Sequence, residues 1–183
     1  SDGKAAKPAK PAMAKGKKIL IIAGVVSAVL ALASYGFGSY YYSRGQVAER
    51  YEAAAKKSFK DSLEYQVWSD TKKEIKTSEV KYTDTKSTQA YSKSQLMSGE
   101  RMQKVGRQFL IFPKWRIVVD PGTVDLTVNT ADLNVTINGV SYATTDGNNY
   151  TAKLNHLYPG TYNFVASGKV NDQDITVSSE ENV

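Results

Sequence analysis

Residues Ile19 to Ser43 read ILIIAGVVSAVLALASYGFGSYYYS, 25 positions without one charge, and ahead of them stand six lysines, Lys4, Lys7, Lys10, Lys15, Lys17 and Lys18, against the single acid Asp2. As a helix rising 1.5 Å per residue the stretch is roughly 37 Å long, enough to cross a hydrocarbon core of about 30 Å. Its apolar body is Ile19, Leu20, Ile21, Ile22, Val25, Val26, Val29, Leu30 and Leu32. The second half turns small and aromatic, ending in Tyr40, Tyr41 and Tyr42. Tyrosine prefers the headgroup boundary, where the ring stays apolar and the hydroxyl wet, so these three are expected to mark the far interface as membrane-anchor residues.

Retention of positive charge on the cytoplasmic side puts the basic tail inside and the 140 residues that follow the span outside, giving a single-pass cell-membrane protein. A cleaved signal peptide is disfavoured, since its apolar region is about 7 to 15 residues long and ends in a small-residue site, where this chain has tyrosines. A soluble core helix would need a polar face, and none exists. The small residues Gly24, Ser27, Ala28 and Ala31 form a shallow groove at spacings that admit a partner helix, the basis for a homo-oligomer through the span; an isolated lipid-facing anchor with ordinary small residues is the favoured alternative.

Outside the span the charge is distributed in blocks. Residues 1–18 carry +5, residues 44–119 carry +7 from sixteen basic and nine acidic side chains, and residues 120–183 carry −6 from two basic and eight acidic ones. A basic region next to the outer membrane face suits an anionic neighbour, lipid headgroups or a polyanionic wall polymer. Lys56, Lys57, Lys60, Lys72, Lys73 and Lys76 are the candidate polyanion-facing residues; a merely solvated helical surface is the alternative.

The chain has no cysteine and one histidine, His156, which excludes disulfides, thiolate metal sites and multi-histidine centres. No Gly-x-Ser-x-Gly elbow, metal-ligand pair or phosphate-cradling glycine loop is present, so neither an enzyme nor a cofactor is expected. Nucleic acid is not an expected partner, because the basic residues beyond the span face away from the cytoplasm. Asn134-Val135-Thr136 and Asn149-Tyr150-Thr151 match a glycosylation acceptor pattern that matters only in a eukaryotic secretory setting.

Residues 1–18, rich in Lys, Ala, Pro and Gly, are expected to be a disordered cytoplasmic tail, and a start at Ser1 reads as a fragment lacking an upstream piece. Apolar residues at Val47, Tyr51, Ala54, Ala55, Phe59, Leu63 and Val67 predict an amphipathic helix from Val47 to Trp68. Cap chemistry at Thr77-Ser78-Glu79 and Gly99 frames a second helix to about Met97, with a partly ordered linker as the competing reading because threonines and serines dominate it. A hairpin is predicted from Arg101–Val105 and Gln108–Phe112 around Gly106, with Pro113 closing it. Beyond Trp115 short strands alternate with turns at Pro121-Gly122, Asn138-Gly139, Asp146-Gly147, Pro159-Gly160 and Gly168, a pattern of a small antiparallel sandwich or open barrel. Its core candidates are Val124, Leu126, Val128, Val135, Ile137, Leu154, Leu157, Tyr162, Phe164, Ile175 and Val177. At about 65 residues such a domain is marginal alone and is expected to lean on the preceding hairpin. The fold class is therefore α+β: a transmembrane helix at 19–43, a small, mostly helical membrane-proximal module at 44–112, and an all-β sandwich-like domain at 113–183.

The tail and span, Val67-Trp68-Ser69-Asp70, Gly106-Arg107-Gln108-Phe109-Leu110-Ile111-Phe112-Pro113-Lys114-Trp115, and the β elements Val135-Thr136-Ile137-Asn138-Gly139 and Leu157-Tyr158-Pro159-Gly160-Thr161-Tyr162 together resemble the TcaA family of Gram-positive membrane proteins, from about residue 15 onward. The β module alone resembles the PEGA type of surface domain. The resemblance implies a non-enzymatic, extracytoplasmic envelope protein that binds a wall polymer or partner protein, linked in some members to glycopeptide-antibiotic sensitivity. An alternative is a transmembrane sensor relaying an envelope signal through its span. Family members commonly begin with a four-cysteine zinc ribbon and continue past the β module; this chain has neither feature, so metal binding is not carried over.

Overall fold

The computed structural model describes Gly3, Ala6 and residues 8–183; within the expected tail, Ser1, Asp2, Lys4, Ala5 and Lys7 lie outside the described residues. The chain divides into two compact units, 1–41 and 42–183.

The first unit is built on helix α1, Lys15–Tyr41, which starts four residues earlier than the uncharged stretch and takes in Lys15, Lys17 and Lys18. It is the one helix among the described residues long and apolar enough to cross a membrane, with a mean hydropathy of 2.3 over its most apolar window.

The second unit opens with α2, Arg44–Lys57, whose N-cap Ser43 accepts a hydrogen bond from the Gln46 amide. The expected 47–68 helix stops well short of Trp68. Ser58 turns extended, ends α2 and caps a new one-turn helix α3, Phe59–Ser62, by accepting from the Asp61 amide; a 3-10 turn at Leu63–Tyr65 then leads into strand β1, Gln66–Trp68. The apolar spacing was sound, because Val47, Tyr51, Leu63 and Val67 are buried, but Ser58 offered its side chain to the backbone, as serines do when they compete with a helix.

The same competition removes most of the second expected helix. Residues 76–88 form successive tight turns closed by Glu79 N–H to Lys76 O, Thr83 N–H to Val80 O and Ser87 N–H to Asp84 O. Only α4, Lys93–Ser98, is helical, with a capping box between Ser92 and Gln95 and Gly99 at its end as expected. The Arg44 guanidinium donates to the carbonyls of Leu96 at 2.9 Å and Gly99 at 2.7 Å, satisfying the α4 C-terminus from α2.

Strands β2, Met102–Gln108, and β3, Phe112–Val119, form a hairpin, but not the expected one: most of the Gln108–Phe112 arm is the turn, and the segment from Trp115 to Val119, expected as a separate strand, belongs to the second arm. Gly106 sits beside a bulge inside β2, Pro113 lies within β3, and the turn is Phe109-Leu110-Ile111. β1 joins as a parallel strand, Gln66 opposite Ile117 through Trp68 opposite Val119, giving the order β1-β3-β2. The segment 113–119, expected in the β domain, thus pairs with β1 and β2. Val47, Ala48, Tyr51, Leu96, Met102 and Ile117 form one core cluster under this sheet; Leu63, Trp68, Ile75, Val80, Val119 and Tyr158 form a second.

The remaining strands are β4, Gly122–Val128; β5, Asn134–Ile137; β6, Val140–Thr144; β7, Tyr150–Leu157; β8, Thr161–Val170; and β9, Gln173–Asn182. They form an antiparallel pair β4-β7 and an antiparallel sheet in the order β6-β5-β8-β9. Asn138 and Gly139, both at positive φ, make the tight β5–β6 turn that the Asn-Gly pair predicts. Gly168 is not a turn: it lies inside β8, where an added Cβ would come within 2.9 Å of the Asp132 carbonyl and the Leu133 side chain. The turn falls at Asn171-Asp172, both at positive φ.

Among the core candidates, Val135, Ile137, Leu154, Leu157, Tyr162 and Phe164 are buried, and Val124, Leu126 and Val128 pack against them. Both clusters draw on the two sheets together. Val177 is a correction, being 60% exposed, and Ile175 is only half-buried. β9 contributes to neither cluster among the described residues.

Candidate functional site

Three features carry the functional reading: an apolar helix, a set of lysines and the seam at which the β strands meet the first sheet. In α1 every anchor candidate from Ile19 to Leu32 is exposed, as are Tyr35, Phe37, Tyr40 and Tyr41. Apolar side chains face outward all around the helix, an arrangement water penalises at roughly 25 cal/mol per Å² and a hydrocarbon solvent does not. The aromatic end is ordered, with Phe37 stacked on Tyr41 at 5.8 Å between ring centroids. Tyr42 departs from the expected belt. It lies past the end of α1 and belongs to the second unit, stacking on Phe112 at 5.3 Å and meeting Phe109 at 6.1 Å.

The six lysines are exposed but sit on separate elements: Lys56 and Lys57 at the end of α2, Lys60 on α3, and Lys72, Lys73 and Lys76 after β1. Lys56 pairs with Glu52 at 2.7 Å and Lys57 with Asp61 at 3.5 Å. Lys72 Nζ donates to Gln103 Oε1 at 3.1 Å. The hydrogen bond from Lys56 holds the Glu52 carboxyl below its usual range, and Lys114, at 2.9 Å, does the same to Glu74.

The seam was not legible as a site. The Leu157-Tyr158-Pro159-Gly160 corner between β7 and β8 inserts Tyr158 into the second core cluster, edge-on to Phe59 at 5.0 Å. A buried hydrogen-bond chain runs through it. Tyr158 OH donates to Gln66 Oε1 at 2.6 Å, Gln66 Nε2 donates to Ser62 Oγ at 2.9 Å, and Ser62 Oγ donates to Phe59 O at 2.6 Å. On the other side Tyr162 OH donates to Tyr158 O at 2.7 Å, which leaves the Thr83 hydroxyl to donate to Tyr162 at 3.1 Å. Burial pushes the Tyr158 hydroxyl far above its ordinary pKa, and those of Tyr162 and Tyr51 upward as well. Asn138 completes the seam, donating from Nδ2 to Tyr82 O at 2.8 Å and Thr161 O at 3.2 Å while its Oδ1 accepts from the Asn163 amide at 2.8 Å.

Beside the seam lies a cleft of about 330 Å³ lined by Arg101, Asp120, Tyr91, Gln89, Ser87 and Tyr158 among others. Arg101 stacks over Tyr91 at 5.0 Å. His156, at a bulge of β7 with positive φ, has Nε2 2.9 Å from Asp70 Oδ2 and its ring 5.3 Å from Trp68. Desolvation works to raise the Asp70 pKa, but the Thr71 amide and His156 together hold it below its usual range. No group of three or more metal-ligating side chains occurs among the described residues. Comparison with protein-family models, with curated proteins and with solved structures gives no match.

Proposed function

We propose that the chain is a single-pass membrane protein of the cell envelope, with its N-terminus cytoplasmic and residues 44–183 outside, which serves as a non-enzymatic binding module rather than a catalyst. The observation that carries this reading is α1, apolar and exposed on every face behind a lysine-rich start. On this reading the two sheets of the β module face each other as a small sandwich, a view supported by their shared clusters. The resemblance to TcaA-like proteins supports an envelope role and a link to glycopeptide-antibiotic sensitivity. The ligand class we favour is a polyanionic wall polymer. Lys60, Lys73 and Lys76 are exposed, and the block from residue 44 to 119 carries +7 beside the span.

Topology is tested with Asn148→Cys, a unique thiol in a cysteine-free chain. A membrane-impermeant maleimide added to intact cells is expected to label it, and alkaline carbonate is expected to leave the protein in the membrane pellet; labelling only after lysis, or release by carbonate, refutes the reading. For the ligand, the chain in nanodiscs is titrated with purified teichoic acid at low salt. The combined Lys60→Gln, Lys73→Gln and Lys76→Gln variant is expected to bind more weakly and with a shallower salt dependence; equal binding excludes this face.

A further inference from the structure

The β2–β3 turn is built against the usual rules for a loop tip. Phe109, Leu110 and Ile111 stand 72%, 85% and 57% exposed, three consecutive large apolar side chains at the most projecting part of a hairpin. Phe109 and Leu110 both hold positive φ, a conformation bulky residues adopt at a cost. Gly or Asn would relieve that strain and lower the exposure together, so neither local conformation nor solubility accounts for these residues.

Two further observations fix what covers the tip. From Arg101 to Val119 the hairpin carries Arg101, Lys104, Arg107, Lys114 and Arg116 and not one acid, with Lys114 paired to Glu74 from outside it. Lys104 and Arg107 are exposed on β2, and Arg107 Nη1 reaches the Leu110 carbonyl at 3.5 Å. An apolar point with two exposed basic side chains behind it on the same strand matches the two layers of a membrane surface, acyl chains beneath anionic headgroups. The other observation is Tyr42, which follows the last residue of α1 directly in the chain and whose ring packs on Phe112 and Phe109. If α1 crosses the bilayer, Tyr42 stands at its outer boundary, and the side chain it touches belongs to the tip.

We propose that the Phe109-Leu110-Ile111 tip inserts into the outer leaflet beside the point where α1 leaves it, making a second membrane contact that holds the outer unit against the lipid surface. The inference rests on α1 being a span, and its test keeps the two apart. The full chain is prepared as three single-cysteine variants, Leu110→Cys at the tip, Val26→Cys in α1 and Asn148→Cys in the β6–β7 loop. Each is labelled with an environment-sensitive fluorophore and reconstituted into vesicles of phosphatidylcholine and phosphatidylglycerol with or without spin-labelled lipid.

The expected result is a blue shift with lipid-dependent quenching at residues 110 and 26 and neither at 148. Adding Phe109→Ser and Ile111→Ser to the Leu110→Cys chain is expected to abolish quenching at 110 while leaving the tryptophan emission of the folded protein unchanged. Quenching at 26 without quenching at 110 overturns the tip and leaves the span standing. The reverse shows a tip in lipid but overturns the span, and with it the placement of the tip beside α1 as a second contact. A blue shift at 110 that spin-labelled lipid does not quench means the tip is buried in protein, and it too overturns the proposal.

Discussion

Replacing Tyr158 by Phe removes one oxygen from the seam and tests whether the β strands and the first sheet fold as one body. Tyr158 and Gln66 are 4% and 1% exposed, and the 2.6 Å bond between them is buried. Without the hydroxyl, Gln66 Oε1 becomes a buried acceptor short of its partner, which costs about 1 to 3 kcal/mol. For a unit of this size each kcal/mol lowers the melting temperature by about 3 °C, so the expected drop is about 3 to 9 °C. Trp68 neighbours the substituted ring, 6.4 Å between centroids, whereas Trp115 reports from β3 within the first sheet, outside the cluster that holds Tyr158. Thermal unfolding of the full chain in nanodiscs, followed by tryptophan fluorescence and by far-ultraviolet circular dichroism, should therefore give coincident transitions that shift together. Adding Gln66→Leu should recover much of the loss, because removing both partners of a buried hydrogen bond is nearly neutral. A fluorescence transition unmoved by Tyr158→Phe, or a dichroism transition separate from it, would refute the coupling.

Further outcomes follow from the same geometry. The raised pKa values of Tyr51, Tyr158 and Tyr162 favour the neutral folded form, so their stabilisation is complete below about pH 10, the unfolded tyrosine pKa, and declines as pH rises through the folded values; urea midpoints measured from pH 8 to 11.5 should fall above pH 10, less steeply in Tyr158→Phe. Asn138→Asp preserves tolerance of positive φ but removes both donors to Tyr82 O and Thr161 O, and urea unfolding should show a loss of about 1 to 3 kcal/mol. Gly168→Ala forces a methyl against the Asp132 carbonyl and Leu133, and calorimetry should show a loss of about 1 to 3 kcal/mol.

Much of the β region could be read from local chemistry. Asn138-Gly139 declared a tight turn, the alternation through Val135 and Ile137 declared the buried face, and Gly99 declared a helix end, because each depends on residues within a few positions. Asn171-Asp172 carried an equivalent turn signal that was eclipsed by the nearby Gly168, whose real role is to let β8 pass close to Leu133. The helical region read poorly for a physical reason. Ser58 and the hydroxyl-rich stretch from Thr77 to Ser92 satisfy backbone groups from their own side chains, so apolar spacing alone overstated helix. The seam was hidden because Gln66, Tyr158 and Thr83 become neighbours only through tertiary folding, and no spacing rule links them. The lysines were visible as charge, but their division among α2, α3 and the segment after β1 depends on where the helix broke.

The partnership of Gln66 with Tyr158, 92 positions apart, sets an order of events for a chain emerging from the ribosome. At about 5 to 20 residues per second, on the order of ten seconds passes between synthesis of the two. Throughout that interval Leu63 and Trp68 lack the ring that closes their cluster. β1 likewise waits for β3 before it gains its parallel neighbour. Such late closure makes folding slow relative to a locally wired domain, and it leaves the apolar face of Leu63 and Trp68 open until the ribosome has passed residue 158.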